Sequence, residues 1–139
     1  MPTRIIEFCK KTNQPVPETV GAVIRCALDS LAMRYRWVAE HLDKLAGRRL
    51  STINIVGGGT QNTLLCQLTA DVTGRTALAG PIEATAIGNV IVQAIGLGHI
   101  GSISEAREIV RSSFDIIPYN PQPNSRIDEA YAKFLTLIS

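Results

Sequence analysis

Three adjacent glycines, Gly57, Gly58 and Gly59, followed by Thr60, Gln61 and Asn62, are the residues of this sequence best suited to meet a ligand. They bring little side-chain chemistry; what they offer is bare backbone. A residue without a Cβ reaches left-handed φ values at little cost and lets a ligand lie directly on the main chain. The preceding run Ile53-Asn54-Ile55-Val56 is of β type, and a helical pattern follows at once. The spacing therefore predicts a strand, a bare turn and a helix start. The first N–H groups of a helix have no acceptor inside it, and its dipole favours an anion there, so a nucleotide is the natural guest. One glycine suffices for a tight turn, and three in a row point to a ligand.

Other chemistries find little support. The spacing Gly57-x-Gly59-x-x-Asn62 lacks the third glycine of the dinucleotide fingerprint, and no acidic residue follows a second strand at the required distance. No Gly-Lys-Ser/Thr occurs, which excludes a Walker loop. Cys9, Cys26 and Cys66 are odd in number and widely spaced, which indicates neither a disulfide framework nor a zinc site and points to a reduced, cytoplasmic protein. His41 and His99 have no partners nearby in sequence, and Ser112 and Ser113 have no neighbouring histidine from which to build a triad. Cys66 stands near a helix start, where a thiol pKa is lowered, but its Leu-rich surroundings read as buried and apolar. No catalytic residue and no metal ligand is assigned.

The elements that must position the glycines follow from periodicity. Ile24, Leu28, Leu31, Tyr35, Val38, Leu42 and Leu45 alternate steps of four and three, which predicts one long helix from just after Pro17-Glu18 to about Ala46, with Pro17 in its first turn and Gly47 past its end. That stripe is expected to pack on the protein's own sheet, with Arg34, Arg36, Glu40, Asp43 and Lys44 solvated; the competing reading is a coiled-coil seam. After the glycines, Leu64, Leu65 and Leu68 mark the buried face of a short helix ending near Gly74. Arg75 to Ala79 reads as a second strand, joined to the first as a parallel β-α-β unit. The glycine turn would then lie at the carboxyl end of the first strand, where open α/β sheets place their ligands. Glu83 opens a further helix with Ile87, Val90, Ile91, Ala94 and Ile95 inward, whose small residues Ala84, Thr85, Ala86 and Gly88 suggest close approach to another backbone; Asn89 and Gln93 read as solvated. Ser104 caps a helix to about Ser112. Pro118, Pro121 and Pro123 exclude helix and central strand between Phe114 and Ser125, a segment read as a cover. A last helix carries Ile127, Tyr131, Phe134, Leu135 and Ile138.

The run from Gly57-Gly58-Gly59-Thr60-Gln61-Asn62-Thr63-Leu64-Leu65-Cys66 to Asp71-Val72-Thr73-Gly74, followed by Ala79-Gly80-Pro81-Ile82-Glu83-Ala84-Thr85-Ala86, resembles the adenosine-binding motif of the FGGY carbohydrate kinases. Phe8-Cys9-Lys10 and Gln14-Pro15-Val16-Pro17 extend the resemblance toward the start of the chain, and the Pro-rich tail extends it toward the end. Gln61 to Leu65 replace the serine and aromatic usual in relatives acting on glycerol, xylulose or gluconate. The resemblance implies an α/β fold: part of an actin-like, ribonuclease-H-like domain, helix-rich around a small parallel sheet, with residues 1–139 forming the C-terminal portion of the second, ATP-binding domain. It implies that Gly57, Gly58 and Gly59 cradle adenosine and the α-phosphate and that Gln61 and Asn62 border the purine or ribose. Its cofactors are ATP and Mg²⁺, the latter held mainly through phosphates and the first domain; its substrate is a ketose. The family's first domain supplies the base and a phosphate loop, and no Asp-x-Gly-Thr-like loop or suitable carboxylate occurs here, so this chain alone is expected to be inactive. The alternatives are a kinase of the same family acting on another sugar and a non-catalytic, self-associating module.

Composition agrees with one globular unit. Of 139 residues, 45% are apolar, enough to build a core. The net charge of +2 is scattered apart from pairs such as Lys10-Lys11 and Arg48-Arg49, which argues against a nucleic-acid partner. The start has no signal-peptide core and no apolar run is long enough to span a bilayer, so no membrane partner is expected. Self-association through exposed apolar faces is.

Overall fold

The long four-three repeat does form a helix. In the computed structural model, which describes residues 1–122 and 124–138, helix α2 spans Val20–Ala46. The Thr19 hydroxyl caps it by accepting the Ala22 N–H at 3.1 Å, and Gly47 ends it at φ 64°. Pro17 therefore lies ahead of the cap rather than in the first turn. A helix not read from the sequence, α1 (Pro2–Lys11), comes first, with a proline at its start where the missing N–H costs nothing. It packs on α2 with Cys9 buried. Strand β1 (Thr52–Ile55) leads through the 3₁₀ turn Gly57–Gln61 into α3 (Thr63–Thr73), then β2 (Thr76–Ala79), α4 (Ala84–Gly96), α5 (Ile103–Ser113), β3 (Ile117–Tyr119) and α6 (Arg126–Ile138).

β1 and β2 pair in parallel, Thr52 opposite Thr76 and Ile55 opposite Ala79, as a strand–helix–strand connection requires. The sheet is nonetheless mixed rather than parallel throughout. β3 lies antiparallel on β2, with Ala77 opposite Tyr119 and Ala79 opposite Ile117. A proline inside β3 is tolerated because this is an edge strand, one side of which needs no ladder donor. The segment read as a cover is thus partly a strand, and its Pro123 lies outside the described residues.

The core is built from smaller residues than the sequence pattern suggests. α2 packs chiefly along α3, and the buried side chains of the two helices are Val23, Ala32 and Ala39 of α2 and Cys66, Thr69, Ala70, Val72 and Thr73 of α3, all small or medium in size. The large residues of the expected stripe, Ile24, Leu31, Tyr35, Val38, Leu42 and Leu45, remain exposed, Leu45 by 85%. Leu64 is likewise exposed, with Leu65 and Leu68 only half-buried. α4 buries none of its residues, and a Cβ on Gly88 would meet nothing within 4 Å, so its small residues do not mark a close backbone contact. Asn89 and Gln93 are exposed. The cap of α5 is Ser102, not Ser104: its hydroxyl accepts the Glu105 N–H at 3.1 Å, while the Glu105 carboxylate accepts the N–H of Gly101, the residue before the cap, at 2.8 Å.

Three residues expected in solvent turn inward instead. Asp43 of α2 accepts from both terminal nitrogens of Arg75, at 3.1 and 2.6 Å, and from the Leu50 N–H at 2.9 Å. Arg36 donates to Glu40 at 3.0 Å and to Asp128 of α6 at 2.8 Å, while its guanidinium lies 4.1 Å over the Tyr131 ring. The Tyr131 hydroxyl donates to Glu40 at 2.8 Å. Burial, reinforced by that carboxylate, pushes the Tyr131 phenol up to about 12. These polar ties fasten α2 to the start of β2 and to α6, around a cavity of about 570 Å³ at the end of the sheet remote from the glycines. Charge alone placed these residues in water; the partners that draw them inward from other elements, Arg75, Tyr131 and Asp128, lie 32 to 92 positions away.

Candidate functional site

β1 ends directly in the glycines, and only Gly57 adopts a left-handed backbone, φ 77°. An L-residue there costs roughly 1–2 kcal/mol, so Gly57 is explained by the turn. Gly58 is not: its φ is ordinary and a Cβ built on it would meet nothing within 4 Å. No neighbour within the protein requires that position to be bare. A Cβ on Gly59 would make ordinary contact with Ile55 Cγ2 at 3.8 Å.

The turn is a 3₁₀ helix of five residues rather than the first turn of α3 itself. Its first N–H groups have no acceptor inside it. The Gly57 N–H is taken by the Pro81 carbonyl at 3.1 Å, whereas among the described residues no backbone hydrogen bond is seen from the N–H of Gly58; that of Gly59 faces the Val56 carbonyl in the 3₁₀ pattern. The Gly80 N–H donates in turn to the Ile55 carbonyl at 2.9 Å, so the turns that leave β1 and β2 are tied to each other. The Thr60 hydroxyl donates to the Gly57 carbonyl at 2.8 Å. Beneath the turn Cys66 is fully buried, its Sγ 3.8 Å from the Gly59 oxygen and 3.9 Å from that of Thr60. Burial pushes its thiol pKa up, which makes Cys66 packing and not a nucleophile. The Cys26 thiol is raised as well, by burial and then by neighbouring Cys9.

A cavity of about 290 Å³ opens beside the turn. Thr60 and Gln61 form one wall; Ala79, Gly80, Pro81 and Ile82 form the floor at the carboxyl end of β2; Phe114, Asp115 and Ile117 form the far wall. Of the residues singled out in the sequence, Gln61 therefore lines the cavity, whereas Gly57, Gly58 and Gly59 precede its wall in the chain and do not line it. Asn62 is placed differently: its Oδ1 caps α3 by accepting the Leu65 N–H at 3.0 Å. The far wall was missed because Phe114 and Ile117 read as residues needing burial; the antiparallel register of β3 is what brings them to the carboxyl end of β2.

Elsewhere, the exposed His41 donates through Nδ1 to the Trp37 carbonyl at 2.7 Å, and its ring lies 3.9 Å from that of Trp37 between centroids, tilted by 34°. Among the described residues no three His, Cys, Asp or Glu side chains converge to hold a metal ion. No described helix is long and apolar enough to cross a membrane.

A bare turn and a cavity at the carboxyl ends of two parallel strands define an α/β fold with its ligand site at the sheet edge. The chain belongs to the FGGY family of carbohydrate kinases, whose C-terminal-domain model matches residues 1–97. It is similar to the rhamnulokinase of Bacteroides thetaiotaomicron, 43% identical over 134 residues, which are 96% of this chain and 28% of that protein. The rhamnulokinase of Klebsiella pneumoniae subsp. pneumoniae is 41% identical over the same shares. The chain thus spans about 28% of the length of these curated relatives. Among solved structures, xylulose kinase from Rhodospirillum rubrum matches 88% of this chain and 25% of its own, with a TM-score of 0.68 and 23% identity. That likeness shows the fold, the actin-like fold of sugar kinases.

Proposed function

We propose that this chain is the adenosine-binding portion of an ATP-dependent sugar kinase, whose full-length protein transfers the γ-phosphoryl group of ATP to the 1-hydroxyl of L-rhamnulose. The observation that carries the nucleotide reading is Gly58: a position with ordinary backbone and open space where a Cβ would go, just past the carboxyl end of β1 and two residues ahead of Thr60, which lines a cavity. Its bareness has no use inside the protein, and it has one if a ligand rests there. The choice of sugar rests on the two rhamnulokinase relatives.

In this reading Gly57 sets the turn, and the Gly58 N–H and the bare backbone of Gly59 hold the α-phosphate. Gln61 and Asn62 border the nucleoside. ATP and Mg²⁺ supply the transferable phosphoryl group and its charge neutralisation, the metal being carried by phosphates and water as is usual for that ion. Phosphoryl transfer depends largely on positioning, so the part played by this chain is to hold the nucleotide still. The proton acceptor and the sugar contacts come from the remainder of the protein, and three free thiols suit a reducing cytoplasm.

The test is Gly58→Val in the full-length protein, titrated calorimetrically with a non-hydrolysable ATP analogue. Affinity is expected to fall by about tenfold or more, ~1.4 kcal/mol per tenfold, with sugar affinity much less affected. Equal nucleotide affinities in folded wild type and variant would sink the cradle assignment.

A further inference from the structure

In the turn that leaves β1 a side chain grips the backbone beside Gly58: the Thr60 hydroxyl donates to the Gly57 carbonyl at 2.8 Å. That carbonyl and the Gly58 N–H belong to one peptide unit, and a planar trans unit points its C=O and its N–H in opposite directions. Holding the first therefore aims the second away from Thr60. We propose that Thr60 is a positioning residue for nucleotide binding: its hydroxyl, acting through the Gly57 carbonyl, holds the Gly58 N–H in the direction from which the α-phosphate meets it. This inference rests on the nucleotide reading given above and adds to it the side chain that sets the cradle.

Three observations carry it. The first is that the aimed group is open. A threonine hydroxyl bonding back to a carbonyl three or four residues earlier is common in helices, and Thr69 does so to Leu65 at 2.7 Å inside α3. In that peptide unit the N–H, that of Cys66, is already taken by the Asn62 carbonyl at 3.0 Å, so the bond aims nothing. At Gly57–Gly58 the same kind of bond acts on a unit whose N–H makes no backbone hydrogen bond among the described residues, and Gly58 is exposed. The second is that the glycines need a grip. Residues without a Cβ have the widest choice of backbone states, so the unit between Gly57 and Gly58 turns freely unless another group fixes it. The third is that the grip stands on a fixed base. The Gly57 N–H is tied to the Pro81 carbonyl at 3.1 Å, and the fully buried Cys66 sets its Sγ 3.8 Å from the Gly59 oxygen and 3.9 Å from that of Thr60. A donor held in place before the ligand arrives binds with less ordering cost than a mobile one.

The experiment compares two variants of the full-length protein: Thr60→Val, which keeps the shape and loses the donor, and Thr60→Ser, which keeps the donor. The probe is the non-hydrolysable ATP analogue, titrated calorimetrically, while NMR follows the Gly58 amide, assigned by its loss in Gly58→Ala. Thr60→Val is expected to weaken the analogue by about three- to tenfold, the worth of one neutral hydrogen bond, and to diminish the shift of the Gly58 amide at saturation, with the KM for the ketose unchanged. Thr60→Ser is expected to restore both the affinity and the shift. Wild-type affinity in a folded Thr60→Val protein, equal losses in the two variants, or a rise in the KM for ATP and ketose together would overturn the inference; if Gly58→Val still weakens binding, the nucleotide cradle stands without it. A Gly58 amide that the analogue leaves unmoved in the wild type would overturn it even where Thr60→Val fails to fold. Wild-type protein that does not bind the analogue would remove the nucleotide reading and this inference together.

Discussion

Adjacent glycines of the same turn carry different physical demands. Gly57 needs its left-handed φ of 77°, whereas Gly58 has an ordinary backbone and open space where a Cβ would go. Gly57→Ala is therefore expected to destabilise the fold by about 1–2 kcal/mol, and Gly58→Ala to leave stability within about 0.5 kcal/mol of wild type; thermal unfolding of the two variants separates them. A reversed order would show that the turn has been misassigned. A second residue-scale prediction concerns Asp43. Its carboxyl is held below the usual carboxylate range by the Leu50 N–H and then by Arg75. A carboxyl whose folded pKa lies below its unfolded value adds stability above that unfolded value, about 4, and loses it as pH falls through the folded one. The unfolding temperature should drop as pH is lowered from about 5 to 3, and Asp43→Asn should flatten part of that drop. An unchanged slope in the variant would mean that other carboxylates carry the acid sensitivity.

At the scale of elements, capping explains where helices begin better than hydrophobic spacing does. Asn62 holds the first turn of α3 through its hydrogen bond to Leu65, and Ser102 does the same for α5. Asn62→Ala is expected to cost about 1 kcal/mol from the lost cap alone, measured by denaturant unfolding in the absence of nucleotide; a cost near zero would leave Asn62 free for a purely ligand-directed role. The stripe on α2 shows the limit of periodicity. Spacing correctly placed a helix over Val20–Ala46, but it selected the face with the largest side chains, while the packed face carries Ala32 and Ala39. A helix pressed closely on another buries alanines, and their weak hydrophobic signal is hidden beside leucines.

For the molecule as a whole, the stripe of α2 and Val90, Val92 and Leu97 on and just after α4 leave large apolar side chains exposed. Contiguous apolar patches beyond a few hundred Å² usually mark an interface, and the isolated chain is expected to self-associate. Sedimentation should show species heavier than the monomer, and Leu31→Lys with Leu42→Lys should return it to monomer; a wild-type monomer at all accessible concentrations would count against this. The chain by itself is also expected to form no ketose-dependent ADP, since no residue in it is assigned as the proton acceptor. Ketose-dependent turnover by the purified chain, free of contaminating kinase, would overturn that view.

The glycine run, the strand before it, the long helix and the parallel pairing of β1 with β2 were all legible in the sequence. Each depends on local chemistry: bare backbone, alternating or four-three apolar spacing, and a connection whose length admits only a crossover. What only the tertiary structure decided depends on residues far apart in the chain. The antiparallel docking of β3, the inward turn of Arg36, Glu40 and Asp43, and the arrival of Phe114 and Ile117 beside Thr60 and Gln61 all follow from contacts across tens of residues. A single sequence records the side chains that make such contacts but not which partner each one finds, because burial and ion pairing are properties of the folded neighbourhood and not of the residue.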